Sequence, residues 1–513
     1  MITAVYVMNN QPKVLIIGAG VAGLSAGIYA LLNGFKATIY EMHSIPGGLC
    51  TSWRRRGYVF DGAVRYLANV NPKTKGFQLW EELGILEETA FHFYEEFNCI
   101  EGDDGRKLHL YTDIDRLESH LLELSPQDER VIREFIDGIQ DFRRLELPVD
   151  LTAGDALELA QMGRQMTPVL LPTLRWSNVT LLEFARRFKD PLLREGMPQF
   201  FQFSPRDFPM MLCLSTIGMM HDHEAGYPLG GSLPIARALE ARYLDLGGEV
   251  VYRTQVRDIL IQEDQAVGLE LEGGEQVFGD IIISAADGRT TIFGFLEGKY
   301  TDRKLRKIYQ GGMTPSKSIL QVSLGAAMDF SDEPPMQNFP LENPIWLGNL
   351  RQNLLVLKHY CFDPGMAPKG KSALTLWCEA DYDYWKWLRG DEARYNRHKE
   401  EAAEIIIHIL DGRYPGLRAA VEVVDVATPV TYERYTGNWR GAFAGWALTT
   451  RKMSMMMGIG MDKTLPGLEH FYMAGQWVEP GGNVELSCAS GRDVVKDICR
   501  EMDRPFVPDG DPA

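Results

Sequence analysis

The sequence predicts an α/β fold in two parts, on three observations. After Lys13 the chain runs through a β-rich stretch, Val14–Ile17, a glycine-rich turn, and a small-residue helical stretch, Val21–Asn33. Short strand-like runs return far downstream, at Ile281–Ile283 and at Phe471–Met473, each followed by small residues. The length of 513 residues also exceeds one ordinary domain, since about 150 residues is typical. Composition agrees: 45% apolar and 24% charged residues exclude a disordered, collagen-like or coiled-coil chain. A net charge of −17 argues against a nucleic-acid-binding surface. The seven cysteines, at 50, 99, 213, 361, 378, 488 and 499, form no CxxC and no Cys/His cluster. That pattern suits a reducing, cytoplasmic compartment, with no disulfide framework and no metal site.

The opening element comes first because it invites a wrong reading. Val14–Leu32 is a run of 19 uncharged residues, long enough to suggest a signal peptide or a membrane span. Only Lys13 stands directly before it, and Gly18, Gly20, Gly23 and Gly27 interrupt it. Strand, tight turn and helix explain it better. No other uncharged run approaches 18 residues, so the chain is expected to be soluble or attached to one membrane face.

The turn reads Gly18-Ala19-Gly20-Val21-Ala22-Gly23. Gly18 permits the sharp exit from the strand, Gly20 lets backbone approach a pyrophosphate, and Gly23 allows close helix–strand packing. The helix start offers unpaired N–H groups and a positive dipole end to that pyrophosphate. A second strand, Lys36–Tyr40, ends at Glu41, placed to hold ribose hydroxyls. The acid disfavours a 2′-phosphate and leaves NAD and FAD open. Gly47-Gly48 follows at once, then Leu49-Cys50-Thr51. This second glycine pair brings backbone close to a longer ligand, which selects FAD, bound non-covalently. No second GxGxxG follows, so a separate NAD(P)H domain is not expected.

Four blocks then resemble the flavin amine oxidase superfamily and, within it, the branch of phytoene desaturases, carotenoid isomerases and retinol saturases. They are Lys13–Glu41; Gly47–Gly48 through Gly57-Tyr58-Val59-Phe60-Asp61-Gly62; Tyr227–Pro234 with the helix and strands after it; and Phe471–Trp477 with Pro480-Gly481-Gly482 and Ser490-Gly491-Arg492. The resemblance implies a Rossmann-type, glutathione-reductase-like FAD-binding domain with a discontinuous α+β substrate domain. The expected boundaries are 1–72, 225–300 and 455–513 for the first, and 73–224 and 301–454 for the second. It also implies the cofactor contacts: Gly18, Gly20, Val21, Ala22, Gly23, Glu41, Met42, Gly47, Gly48, Leu49, Val256, Ala285, Gly475, Gly482, Asn483 and Val484. The helix from Val484 is expected to aim its N-terminus at the flavin.

The sequence departs from that branch in two places. Arg65 stands where relatives carry His, and Asn483 and Glu485 replace Gly and Pro of a Gly-Gly-Gly-Leu-Pro run. Arg65 and Glu485 are therefore the candidate catalytic residues, with Arg65 binding a carboxylate or Glu485 moving a proton. The competing reading is an Arg65–Glu485 salt bridge with a structural role only.

Other features have plainer readings. Arg54-Arg55-Arg56 reads as a solvated loop that could also meet phosphates or lipid. Residues 81–104, with nine acids and no Lys or Arg, read as a solvated face. Met210, Met211, Met219 and Met220, with Met453, Met455, Met456, Met457 and Met461, suit an adaptable apolar wall. Segments 165–182 and 197–220 suit a membrane-facing entrance. His221 and His223 lack further ligands. Residues 381–387 read as structural, and Gly437–Trp446 as a cavity wall of unassigned chemistry.

There is no GxSxG, P-loop or HExxH. The leading function is an FAD-dependent oxidoreductase acting on C–C or C=C bonds of an apolar polyene or isoprenoid. It would desaturate, saturate or isomerise that substrate, with peripheral membrane contact and an electron acceptor the sequence does not name. The alternatives are a flavin amine oxidase and a non-enzymatic escort of prenylated proteins. Leu49, where amine oxidases usually carry Arg, opposes the first. The intact glycine turn opposes the second.

Overall fold

The opening β-rich run becomes the middle strand of a five-stranded parallel sheet in the computed structural model, which describes residues 11–86, 89–143, 173–201, 206–450 and 461–509. The strand order is Glu249–Tyr252, Lys36–Glu41, Lys13–Ile17, Ile281–Ser284, Phe471–Met473, and every ladder is parallel. Parallel neighbours need crossovers, so strands adjacent in space come from distant stretches of chain. Alternation along Val14–Ile17 divides its contacts. Val14 and Ile16 join the core beneath the helices, whereas Leu15 and Ile17 face the opposite layer. That layer is a three-stranded antiparallel sheet of Val256–Gln262, Gln265–Leu271 and Gln276–Phe278.

The helix Val21–Leu32 packs beside Ser232–Asp245 and Val484–Glu501. Small residues make the approach close. A Cβ on Gly491 would lie 2.5 Å from the Ala22 carbonyl oxygen. The predicted strands and helix of this region are observed within about one residue of their expected ends, the scatter normal for element boundaries.

A seven-stranded sheet forms the second large layer, in the order Val421–Ala427, Ile319–Ala326, Ser372–Glu379, Leu350–His359, Met336–Leu347, Glu96–Glu101, Lys107–Tyr111. One face is apolar: Leu320, Leu324, Leu357, Leu374 and Leu376 pack with Ile406 and Leu410 of the long helix Glu392–Arg413. Period-two alternation turns Gln321, Ser323, Lys358, Thr375 and Trp377 to the other face, where all five are buried. A helical layer, including Glu129–Arg143 and Met210–His221, covers the remaining end.

One expectation changes. The acidic stretch is not simply a solvated face: Glu82 is buried, accepts the Tyr29 hydroxyl at 2.7 Å and pairs with Arg492 at 2.8 Å. That carboxylate ties the first helix to the last. Met453, Met455, Met456 and Met457 lie outside the described residues, as do parts of segments 165–182 and 197–220. Among the described residues, no helix is long and apolar enough to cross a membrane.

Candidate functional site

The turn after the first strand opens onto a cavity of 1470 Å³. That exceeds the roughly 300–1,000 Å³ usual for one small ligand, leaving room for a second molecule beside a dinucleotide. Gly18 adopts φ +98°, a left-handed conformation open to glycine. A Cβ on Gly23 would sit 2.0 Å from the Gly18 carbonyl oxygen, so only glycine permits this helix–turn packing. A Cβ on Gly20 would meet nothing within 4 Å, because Gly20 faces the cavity. The helix Val21–Leu32 begins with no side-chain cap and no acid in its first turn. Its first amides are left to a ligand, the arrangement an anionic pyrophosphate needs.

The second glycine pair is tied to the first. Gly47 donates its amide to the Ala19 carbonyl at 2.8 Å, and Gly20 and Gly47 form an isolated parallel bridge. Glu41 ends the second strand facing the cavity. Its carboxylate accepts the amides of Ala19 and His43, both at 2.7 Å. Burial raises its pKa, while those two amides and His43 pull it back. An oxygen that accepts one amide retains a lone pair for a ribose hydroxyl.

Fifteen of the sixteen residues expected around FAD line this one cavity: Gly18, Gly20, Val21, Ala22, Glu41, Met42, Gly47, Gly48, Leu49, Val256, Ala285, Gly475, Gly482, Asn483 and Val484. Gly23 stands just behind, packed on Gly18. An uncapped helix start, an open-faced glycine and a ribose-side acid on one wall fit a dinucleotide. These residues would hold its pyrophosphate and adenosine, leaving the flavin toward Gly475 and the last helix.

That last helix, Val484–Glu501, is capped by Asn483, whose side chain accepts the Leu486 amide at 2.8 Å. Glu485 lies in its first turn and is buried. It is not part of the cavity wall. Its carboxylate accepts the amide of Ala68, and burial pushes its pKa up to about 7. No ion pair joins it to Arg65 among the described residues, so the salt bridge weighed from the sequence does not form.

Arg65 does line the cavity. The Tyr94 hydroxyl donates to its carbonyl at 3.3 Å, which holds the backbone. Its guanidinium carbon lies 5.7 Å from the centre of the Trp377 ring, and burial lowers its pKa to about 10. Lys358 Nζ lies 3.3 Å from the same ring centre. Trp377 is a cavity residue, anchored by its indole N–H to Gln321 at 2.9 Å. Asp61, of the Phe-Asp-Gly motif, accepts the Ala63 amide, the Ser232 amide and hydroxyl, and the Tyr227 hydroxyl, at 2.6 to 3.0 Å. It clamps the loop that presents Arg65.

The far wall is apolar. Phe201, Phe208, Leu212, Met219, Ile319 and Phe443 face the same space. Gly437, Asn438 and Trp446 also line it, and the Asn438 side-chain oxygen accepts the Trp477 indole at 3.0 Å. Arg54, Arg55 and Arg56 do not reach it; Arg55 pairs with Asp425 at 3.0 Å on the outer strand. His221 accepts the Ile114 amide at 3.2 Å. Sequence reasoning missed Lys358, Trp377 and Gln321. The one usable signal was Lys358 itself, a lone charge closing the run Leu354-Leu355-Val356-Leu357.

Comparison with known proteins agrees with this geometry. The model of flavin containing amine oxidoreductases matches residues 21–499. Prolycopene isomerase 2 of an Oncidium hybrid cultivar is 25% identical over 507 residues, covering 93% of this chain and 82% of that one. The 4,4'-diapophytoene desaturase (4,4'-diapolycopene-forming) of Methylomonas sp is 23% identical, covering 96% of each. Among solved structures, an oxidoreductase from Methanosarcina mazei superposes with a TM-score of 0.58 at 17% identity, covering 94% of this chain and 100% of that one.

Proposed function

The chain belongs to the flavin containing amine oxidoreductase family and is an FAD-dependent oxidoreductase, and we propose that it acts on carbon–carbon bonds of an apolar polyene or isoprenoid. The observation that carries this reading is the shape of one cavity. Its glycine-lined wall suits the cofactor, and its opposite wall of Phe201, Phe208, Leu212 and Met219 is aromatic and aliphatic. Relatives named as a prolycopene isomerase and a diapophytoene desaturase support the same substrate class.

Bound FAD supplies hydride exchange with a substrate carbon. The chain's own residues position the partners. The start of the helix Val484–Glu501, capped by Asn483, presents a positive dipole end to the cavity. Ile319, Phe443 and Leu448 add apolar surface to the cavity wall. We place the entry for an apolar substrate beside the side chains of Phe201 and Phe208, which would take it from a membrane surface by peripheral contact.

The test is anaerobic incubation of the yellow holoprotein with a cis-carotenoid in liposomes and, separately, with simple amines. Bleaching of the flavin bands or a changed carotenoid product, with no response to amines, is expected. Amine-driven bleaching with peroxide release on re-oxidation would overturn the reading in favour of an amine oxidase.

A further inference from the structure

We propose that Glu96, Cys99 and His109 form a zinc-binding site on the outer hairpin of the seven-stranded sheet, apart from the cavity, which none of the three lines. Spacing along the chain gives no sign of this group; the pairing of two strands creates it. Glu96–Glu101 and Lys107–Tyr111 run antiparallel, with Cys99 opposite His109. The His109 amide donates to His120 Nε2 at 3.0 Å and so points away from Glu96–Glu101. A strand residue's N–H and C=O leave on the same side. Cys99 and His109 are therefore a non-hydrogen-bonded pair, the kind whose side chains stand closest.

Glu96 joins them through a bulge. Strict alternation would turn Glu96 to the face of Asn98 and Ile100. The ladder instead slips between Glu96 and Asn98, so that Glu96 stands opposite Tyr111 and Asn98 opposite Leu110. Tyr111 and His109 share a face, and the bulge brings Glu96 onto it. Phe97, the extra residue, packs into the core with Ile100.

The result is one sulfur, one imidazole nitrogen and one carboxylate oxygen, all within 4.8 Å of one another. His109 Nδ1 and Glu96 Oε1 are 2.8 Å apart, close to the roughly 3.3 Å between two ligands of one tetrahedral zinc. An adjustment of about 1 Å brings Cys99 Sγ to the same ion. Tyr111 stacks on the His109 ring at 5.5 Å and 7°, which holds the imidazole in one orientation, as a ligand ring needs. Cys99 is buried, whereas the His109 and Glu96 side chains are 25% and 17% exposed. The ion thus has a path from solvent and a fourth position for water. A thiolate with an imidazole selects zinc over calcium or magnesium, which take oxygen donors. Burial and then Glu96 push the Cys99 pKa up to about 12, so binding exchanges the thiol proton for the metal. The thiolate and the Glu96 carboxylate then balance the dication. Zinc bound there pins the edge strand Lys107–Tyr111 to its neighbour.

The experiment frees the FAD-loaded protein of metal with a chelator, adds zinc sulfate and dialyses. One zinc per chain is expected to remain, with a Kd of about 1 μM or below. Zinc K-edge absorption is expected to show one sulfur at about 2.3 Å, with nitrogen and oxygen at about 2.0–2.2 Å. Cys99→Ala is expected to remove the sulfur and to weaken binding about tenfold or more, with flavin content unchanged. His109→Gln, at a partly open position, is expected to weaken binding as much and serves even where Cys99→Ala fails to fold. Cys378→Ala, which changes a buried cysteine on Ser372–Glu379, is expected to leave zinc and its sulfur in place. Saturating zinc is expected to raise the Tm of the unaltered protein and not that of Cys99→Ala. No zinc after dialysis, or zinc with nitrogen and oxygen ligands alone, means an adventitious ion only and overturns the site. A sulfur lost in Cys378→Ala but kept in Cys99→Ala places the metal elsewhere and overturns it as well.

Discussion

Glu485 and Glu41 are both buried acids at the cavity's edge, and they respond to pH and mutation in different ways. Glu485 has its folded-state pKa raised to about 7, by burial. A carboxyl raised in this way stabilises the fold below its unfolded pKa, near 4.5, and loses that contribution as pH climbs through its folded value. Stability attributable to Glu485 therefore falls between about pH 4.5 and pH 7. Glu485→Gln keeps an acceptor for the Ala68 amide and cannot ionise. Its unfolding free energy in urea is expected to match that of the unaltered protein below about pH 4 and to exceed it at pH 8, by up to about 3 kcal/mol. A midpoint lowered equally at both pH values would show that the carboxylate, not its burial, matters there. Glu41 already satisfies two amides, of Ala19 and His43. Glu41→Ala strands both donors at a cost of about 1–3 kcal/mol. Flavin fluorescence on titration with FAD should show affinity weakened about tenfold or more, with the apoprotein still folded.

The helices succeed as elements because their small residues sit where two backbones meet. Gly491 lies inside Val484–Glu501, where helix propensity alone favours alanine by about 1 kcal/mol. The structure predicts the opposite sign, since a Cβ there would stand 2.5 Å from the Ala22 carbonyl and 2.7 Å from the Ala26 amide nitrogen. Gly491→Ala is expected to destabilise by about 1–3 kcal/mol, read as a lower Tm; a higher Tm would mean that the two helices can part. Such features were legible in the sequence where their cause is local. The turn Gly18–Gly23, the strand ending at Glu41 and the helix after Asn483 are each fixed by a few neighbouring residues. Lys358 was not legible in the same way. It meets Trp377 only because Leu350–His359 and Ser372–Glu379 pair with Lys358 opposite Thr375, a register the local pattern does not state. The Arg65–Glu485 contact failed for a related reason. The two residues were weighed as partners, but a first-turn helix side chain turns back past its own N-terminus, and Glu485 reaches the Ala68 amide instead.

The whole molecule is held together across the cavity rather than along the chain. The wall that suits the cofactor gathers residues near 18–22, 41–49, 254–256, 285–287 and 474–484. Those stretches belong to strands and turns whose order in the sheet differs from their order in sequence. A ligand contacting all of them binds the assembled fold and not the unfolded chain, so it must stabilise by mass action. At FAD a thousandfold above its dissociation constant the gain is about 4 kcal/mol. Stripping the flavin should therefore lower Tm, and adding FAD back should raise it with the logarithm of FAD concentration. ADP, which fills only the Glu41 and Gly20 end, should recover part of the shift. The proposed assignment predicts that difference, because Gly482, Asn483 and the helix after them would hold the flavin end. Full recovery with ADP would mean that the Val484 helix contributes nothing to binding, and its N-terminus would lose its assignment as the flavin end of the site.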